Sequence, residues 1–128
     1  MNEEELKKRT KQLALRIIRV VEALPNTRSA QKIGRKLLQS ATSIGANYRA
    51  ACRAKSTADM ISKLQIVTTA ADKTLYWLEL IGEANLITKN RLTGVKKETN
   101  EILAIMISSI KTLQRRKSWL YATLWVRI

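Results

Sequence analysis

The chain has 128 residues, of which 45% are hydrophobic and 27% charged, and its formal net charge is +14. That length corresponds to one domain and is sufficient to bury a core without disulfides or structural metals. One cysteine and no histidine exclude an internal disulfide and a Cys/His zinc site, and four glycines with one proline predict a mostly helical chain.

The first two predicted helices are separated by a short turn. Asn2 and Glu5 form the pattern of a capping box, which predicts a helix over residues 3–24 that ends before Pro25. A second helix is expected over residues 29–54, with Ser29 as its N-terminal cap.

Two further helices complete the predicted fold. Ser56 and Asp59 form a second capping box that begins a helix over residues 57–84, and Asn85 ends it. Thr88 begins a fourth helix over residues 88–117. Because the connections are only a few residues long, consecutive helices are expected to be antiparallel. The predicted fold is therefore all-α, an antiparallel up-down-up-down four-helix bundle formed as one domain by residues 1–117.

Residues 118–128 differ in composition from the four predicted helices. They contain two of the three tryptophans and a single charged residue, so we interpret them as an apolar, Trp-containing C-terminal tail. Three interpretations stay open for this tail: packing against its own bundle, contact with a neighbouring subunit, or a sequence left from cloning.

Positive charge is concentrated in the second and fourth predicted helices. Residues 28–57 contain seven basic and no acidic residues, and residues 88–117 contain eight basic and two acidic ones. At about 100° per residue, six cations of the second helix share an arc of about 140°, and five of the fourth share an arc of about 100°. The six are Arg28, Lys32, Arg35, Lys36, Arg49 and Arg53, and the five are Lys89, Lys96, Lys97, Lys111 and Arg115.

A helix stripe of one sign indicates an anionic partner. Such a stripe forgoes i,i+4 ion pairs and repels itself, and a phosphate backbone is the favoured compensation. An acidic protein partner and a merely solvated face are the alternatives. Few aromatic residues stand near the basic positions in the sequence, so backbone or shape recognition is expected rather than base stacking.

The candidate nucleic-acid-binding residues come from both stripes. They are Arg28, Lys32, Arg35, Lys36, Arg49, Arg53, Lys96, Lys97, Lys111 and Arg115. If the second and fourth helices lie side by side, these residues form a surface two helices wide.

A run of small residues lies in the second predicted helix. Ser40, Ala41, Ser43, Gly45 and Ala46 predict that another helix backbone approaches closely here. Asn47, which follows the run beside core positions, is expected to be a structural amide with its hydrogen bonds satisfied.

Signals of catalysis are weak. Residues 29–32 and 108–111 match S-x-x-K, but none of the companion motifs of that pattern is present. Asp72, Glu79 and Glu83 could act in acid–base chemistry or hold a cation, although carboxylates that meet basic residues of a neighbouring helix or subunit are the favoured interpretation. We therefore expect a protein that is not an enzyme and has no cofactor and no metal site.

The sequence also bears on location. The N-terminal residues 1–5 are acidic and polar, unlike a secretory signal, and no run of about 18 apolar residues predicts a membrane span. With its one cysteine, the chain is expected to be a soluble protein of the reducing cytoplasm.

At the small-residue run the sequence resembles a known family. The stretch 33–56, which contains Ser-Ile-Gly-Ala-Asn-Tyr, resembles the signature of the four helix bundle proteins that are encoded in intervening sequences of bacterial 23S ribosomal RNA genes and elsewhere. Residues 58–64 and the block 71–80, which contains Tyr-Trp-Leu-Glu-Leu, continue the resemblance, which covers roughly residues 10–115.

This resemblance implies a four-helix bundle that assembles as a homopentamer with a basic surface. It also implies similarity to the accessory variability proteins of diversity-generating retroelements, which bind nucleic acid and a reverse transcriptase. The family has no known catalytic residues to carry over. The chain departs from the family's pattern at Ala50, often Glu, at Met60, often aromatic, and at Lys73, usually acidic, which puts in doubt any ionic subunit contacts made there.

Three functional hypotheses follow. The favoured one is a non-enzymatic, basic, oligomeric accessory protein that binds structured RNA or an RNA/DNA hybrid, in company with a reverse transcriptase. The alternative is a protein-interaction scaffold whose main partner is another protein. The third is an enzyme that uses Asp72, Glu79 and Glu83.

Overall fold

A computed structural model of the chain contains four α-helices. It describes the backbone of residues 2–126 and the side chains of residues 2–117. The helices are α1 (Glu3–Glu22), α2 (Arg28–Cys52), α3 (Thr57–Glu83) and α4 (Lys89–Val126). No β-strand occurs among residues 2–126, and the prediction of an all-α four-helix bundle is confirmed.

Side-chain caps begin α1 and α3 at the predicted positions. Asn2 Oδ1 accepts a hydrogen bond from the backbone N–H of Glu5 at 2.8 Å, and Ser56 Oγ accepts one from the N–H of Asp59 at 3.1 Å. Each bond satisfies one of the backbone donors that the first turn of a helix leaves without an intrahelical partner.

The cap of α2 differs from the prediction. Thr27, in an extended conformation with φ −109°, accepts from the N–H of Ala30 through its hydroxyl at 3.3 Å. Ser29 already lies inside the helix, so its assignment as the cap was wrong. The sequence offered two hydroxyl residues two positions apart, and only the backbone conformation distinguishes them.

Asn85 ends α3 as predicted, through a left-handed backbone conformation. Its φ is 58°, its N–H donates to the carbonyl of Gly82 at 3.1 Å, and the N–H of Leu86 donates to the carbonyl of Ile81 at 3.0 Å. This pair of bonds is a Schellman motif, in which asparagine takes the position that glycine usually occupies.

The fourth helix is longer than predicted. It continues through Val126, nine residues past the expected end at residue 117. The side chains of residues 118–128 lie outside the described part of the structure. The three interpretations of this apolar segment concern those residues and stay open.

The core is aliphatic and receives side chains from all four helices. Each fully buried side chain contributes about 1.5–3 kcal/mol relative to an exposed one. The largest are Leu13, Ile17, Leu37, Ile44, Leu64, Leu78, Ile81, Leu92, Ile102 and Met106.

The small-residue run lies where α2 packs against α1. A Cβ on Gly45 would lie 3.3 Å from Thr10 Oγ1 and 3.6 Å from the Thr10 carbonyl carbon. The expectation that another backbone approaches closely at this run is therefore confirmed. Asn47 is also satisfied as expected, since its Nδ2 donates to the carbonyl and the hydroxyl of Ser43 at 2.9 and 2.8 Å.

Polar contacts link two further pairs of helices. Between α2 and α3, Thr74 Oγ1 lies 2.9 Å from the buried Ser40 Oγ. Between α1 and α4, the guanidinium of Arg9 donates to the carboxylates of Glu98, at 3.0 Å from Nε, and Glu101, at 2.9 Å. Helices α2 and α4 each contact α1 and α3, and within the described residues they do not contact each other.

Candidate nucleic-acid interface

Every cation of the basic stripe of α2 is exposed. All six of its cations project into solvent because the opposite face of the helix, which includes Leu37, Ile44 and Tyr48, is buried in the core. None of the six forms an ion pair with any carboxylate of residues 2–117. The described part of the chain therefore leaves the positive charge of this stripe without an ion-pair partner.

The stripe of α4 has a different electrostatic environment. Lys97, Lys111 and Arg115 are exposed and Lys96 is half-buried. Lys96 and Lys89 line a cavity of about 280 Å³ together with two carboxylates of α3, Glu79 and Glu83. These carboxylates partly offset the field of α4, so the α2 stripe is the stronger anion-attracting surface.

The two stripes do not share one continuous surface. Because α2 and α4 are not in contact, α1 and α3 separate them. The condition for a basic surface two helices wide, that these two helices lie side by side, is therefore not met. Stripe positions can be derived from helical periodicity within each element, but periodicity carries no information about which helices are neighbours.

A groove between α2 and α3 brings together residues that are far apart in the sequence. Its volume is about 660 Å³, and its walls include Lys36, Lys73, Ile66 and the half-buried Trp77. The Trp77 ring packs edge-on against Tyr76, with centroids 5.0 Å apart. Sequence reasoning found few aromatic residues near the cations because Lys36 and Trp77 belong to different helices.

A smaller cavity between α1 and α4 was also missed. Its volume is about 240 Å³, and three arginines line it: Arg16, Arg19 and Arg91. Residues 1–27 carry six basic and four acidic residues, so their modest net charge concealed the local cluster. The i,i+3 spacing of Arg16 and Arg19 was the available signal.

The carboxylates considered for catalysis do not converge. Asp72, Glu79 and Glu83 are exposed on α3. Among the described residues, no group of three or more His, Cys, Asp and Glu side chains could hold a metal ion. The presence of Glu79 and Glu83 beside Lys89 and Lys96 agrees with the interpretation that they meet basic residues of a neighbouring helix.

The only cysteine of the chain packs beside Tyr48 at the end of α2. Burial is the main cause that raises the pKa of the Cys52 thiol, and burial likewise raises the pKa of Tyr48. A thiol with a raised pKa is a poor nucleophile at neutral pH.

None of the described helices combines the length and apolarity needed to cross a membrane.

The fold and the basic helix faces define a class of small, cationic four-helix proteins. Residues 2–108 match the family described as 23S rRNA-intervening sequence protein, and the chain belongs to that family. It is similar to a solved Bacteroides thetaiotaomicron protein, described as of unknown function and from the S23 ribosomal protein family. The two are 37% identical with a TM-score of 0.78, over 83% of this chain and 98% of the other. Among curated proteins, none matches the sequence.

Proposed function

We propose that this chain is a non-enzymatic accessory protein that binds nucleic acid through the exposed basic stripe of α2. The observation that carries the proposal is that six cations lie along one helix face with no ion-pair partner in the described part of the chain. A polyanion attracts each of these cations and so offsets their mutual repulsion. Binding also releases the counterions that are condensed on the polyanion.

Structured RNA or an RNA/DNA hybrid is the proposed ligand class. A convex helix face with long cationic side chains suits phosphate contacts along a duplex, and such contacts do not depend on base sequence. The cations of α4, Lys96, Lys97, Lys111 and Arg115, support binding from a separate face.

The proposed arrangement of helices is antiparallel, up-down-up-down. A Cβ on Gly34 of α2 would lie 3.5 Å from Val21 Cγ1 of α1, whereas Gly45, further along α2, approaches Thr10, earlier along α1. Residue numbers that rise in one helix while they fall in its neighbour support opposite directions.

The proposed assembly is a homopentamer that acts in the cytoplasm with a reverse transcriptase of a diversity-generating retroelement. Exposed apolar side chains support a surface that becomes buried on association: Leu15 and Ile18 on α1, Ile66 and Tyr76 on α3, and Ile107 on α4. One chain has a mass of 14.5 kDa, and a pentamer therefore has five times that mass. Sedimentation equilibrium that gives the mass of one chain at micromolar concentration refutes this part of the proposal.

Binding of nucleic acid is tested by titrating the protein into labelled RNA duplex, RNA/DNA hybrid and DNA duplex at increasing salt. The expected result is micromolar or tighter binding whose affinity falls steeply with salt, because counterion release drives it. No binding at micromolar protein, or an affinity that is insensitive to salt, contradicts the proposal.

The second candidate function is a scaffold for another protein. The exposed apolar side chains Leu15, Ile18 and Ile107 favour it. Binding of nucleic acid through surface cations does not account for apolar side chains in these positions. Capture of the reverse transcriptase after nuclease treatment separates the candidates. Retention without nucleic acid supports the scaffold, and loss supports a complex bridged by nucleic acid.

The absence of catalysis is part of the proposal and has its own test. Replacing Glu79 and Glu83 together by Gln is expected not to weaken nucleic-acid binding or any cellular role, because both are exposed on α3 and, among the described residues, they belong to no group of three that could hold a metal ion. Loss of a cellular role with binding retained points instead to chemistry at these carboxylates.

A further inference from the structure

The cavity between α1 and α4 has the composition of an anion site. Arg16 and Arg19 approach it from α1, and Arg91 approaches it from the first turn of α4. The rest of the lining is apolar, formed by Val20, Ile87, Leu92 and Val95. Among the side chains that the structure describes, the three guanidinium groups are therefore the only charged donors around a small concave space.

No acidic group of the described chain compensates these three arginines. None of them forms an ion pair with a carboxylate of residues 2–117. Glu22 lies one turn after Arg19 but is exposed and forms no ion pair, and Glu98 of α4 is engaged by Arg9. Because guanidinium does not deprotonate in proteins, the cavity stays positively charged at any physiological pH.

A glycine makes room for one of the guanidinium groups. A Cβ on Gly94 would lie 2.9 Å from Arg16 Nη2, closer than nonbonded atoms can approach. Arg16 Nη2 therefore lies against the backbone of α4, in space that a side chain at position 94 would partly occupy. A larger residue there would require the flexible end of Arg16 to shift.

We propose that this cavity binds a terminal phosphate monoester. Such a group carries about −1.5 to −2 charges and three acceptor oxygens, which suits three arginines better than the single charge of an internal phosphodiester. Arginine forks bind phosphate oxygens in bidentate geometry, and the positive end of the α4 dipole adds to the attraction. The 5′ end of a nucleic acid and a free nucleotide are two sources of this group. The first source rests on the proposed nucleic-acid function.

The test compares two single-stranded RNAs of identical sequence, one with a 5′-phosphate and one with a 5′-hydroxyl. The wild-type protein is expected to bind the phosphorylated strand at least about 10-fold more tightly, the effect of one or more charge-assisted hydrogen bonds. Arg19→Gln and Arg91→Gln are expected to remove most of this ratio. Lys11→Gln, which removes an exposed α1 cation outside the cavity, is the matched control and keeps the ratio.

Gly94→Ala is the sharper variant because it changes no charge. The added methyl displaces the flexible end of Arg16, and alanine favours a helix more than glycine does, so the fold is retained. The ratio is expected to fall while affinity for the 5′-hydroxyl strand stays at the wild-type level. Circular dichroism confirms that the variant keeps its helix content.

A second arm separates the sources of phosphate. Adenosine monophosphate and inorganic phosphate are added at equal ionic strength while the melting temperature is measured. A rise in the wild type that Arg91→Gln abolishes identifies a site for free phosphate groups, whether or not RNA binds. Equal affinity for both RNAs together with no thermal shift overturns the site and leaves the α2 interface standing. Salt-insensitive or absent binding of the RNA duplex and the RNA/DNA hybrid, with the thermal shift present, overturns the proposed function and leaves the site standing.

Discussion

Neutralising the α2 stripe is expected to flatten the salt dependence of nucleic-acid binding. Lys32→Gln combined with Arg35→Gln removes two exposed cations that form no ion pair in the described chain and lowers the net charge from +14 to about +12. Lys8→Gln combined with Lys11→Gln removes two exposed cations from α1 and reaches the same net charge. Only the location of the lost charge distinguishes the two double variants.

The size of the effect follows from the number of phosphate contacts. Each contact contributes about 0.9 to the slope of log affinity against log salt, so six α2 contacts give a slope of about −5, and removing two makes it shallower by about 1.8. If the affinity extrapolated to about 1 M salt is unchanged, the α2 double variant binds about 30-fold more weakly at about 0.15 M. The α1 double variant is expected to keep the wild-type slope.

The assay is fluorescence anisotropy of a short labelled RNA duplex, titrated between about 50 and 200 mM salt. Equal slopes for the two double variants refute the reasoning, because net charge rather than the α2 stripe would then govern binding. Lys89→Gln combined with Lys96→Gln, on α4, is expected to change the slope less than the α2 pair does. The reason is that Glu79 and Glu83 of α3 line a cavity together with these two lysines.

Three further predictions concern stability, each measured by urea unfolding. A double-mutant cycle with Ser40→Ala and Thr74→Val is expected to give a coupling energy of about 0.5–1.5 kcal/mol, since the two buried hydroxyls bond each other across α2 and α3; additive single effects would contradict it. Asn85→Ala is expected to cost about 1–2 kcal/mol because φ is 58° there, whereas Asn85→Gly is not; equal losses in both variants would point to the asparagine side chain instead. Because burial raises the pKa of Cys52 and of Tyr48, the unfolded state ionises first as pH rises, and the free energy of unfolding is expected to fall above about pH 9. The free energy of unfolding of the Cys52→Ala variant is expected to fall less over this pH range. An identical fall in the variant and the wild type would mean that other groups cause the loss of stability.

Much of the fold could be predicted from local signals. The capping pairs Asn2 with Glu5 and Ser56 with Asp59 began helices where expected, because capping depends on residues three positions apart. Asn85 ended α3 because asparagine tolerates positive φ. Ser29 failed as a cap because Thr27, two positions earlier, also carries a hydroxyl, and only the backbone conformation distinguishes the two candidates.

The candidate site could be predicted only one helix at a time. Periodicity placed the α2 cations on an exposed face, and the structure keeps them exposed. Glu79 and Glu83, which partly offset the charge of the α4 stripe, belong to α3. So does Trp77, the aromatic residue that lines a groove together with Lys36. Contacts between helices depend on the packing of side chains that are distant in the sequence. A pattern within one helix carries no information about such contacts.

The sequence by itself determined a helical protein of one family with a positive charge concentrated in two helices. Composition, caps and periodicity suffice for this because they act over one or two turns. Only the tertiary structure decided that α2 and α4 are not neighbours, so that their stripes face different surfaces. It alone also brought Arg16, Arg19 and Arg91 around one cavity, because burial of the apolar faces, and not charge, sets which helices meet.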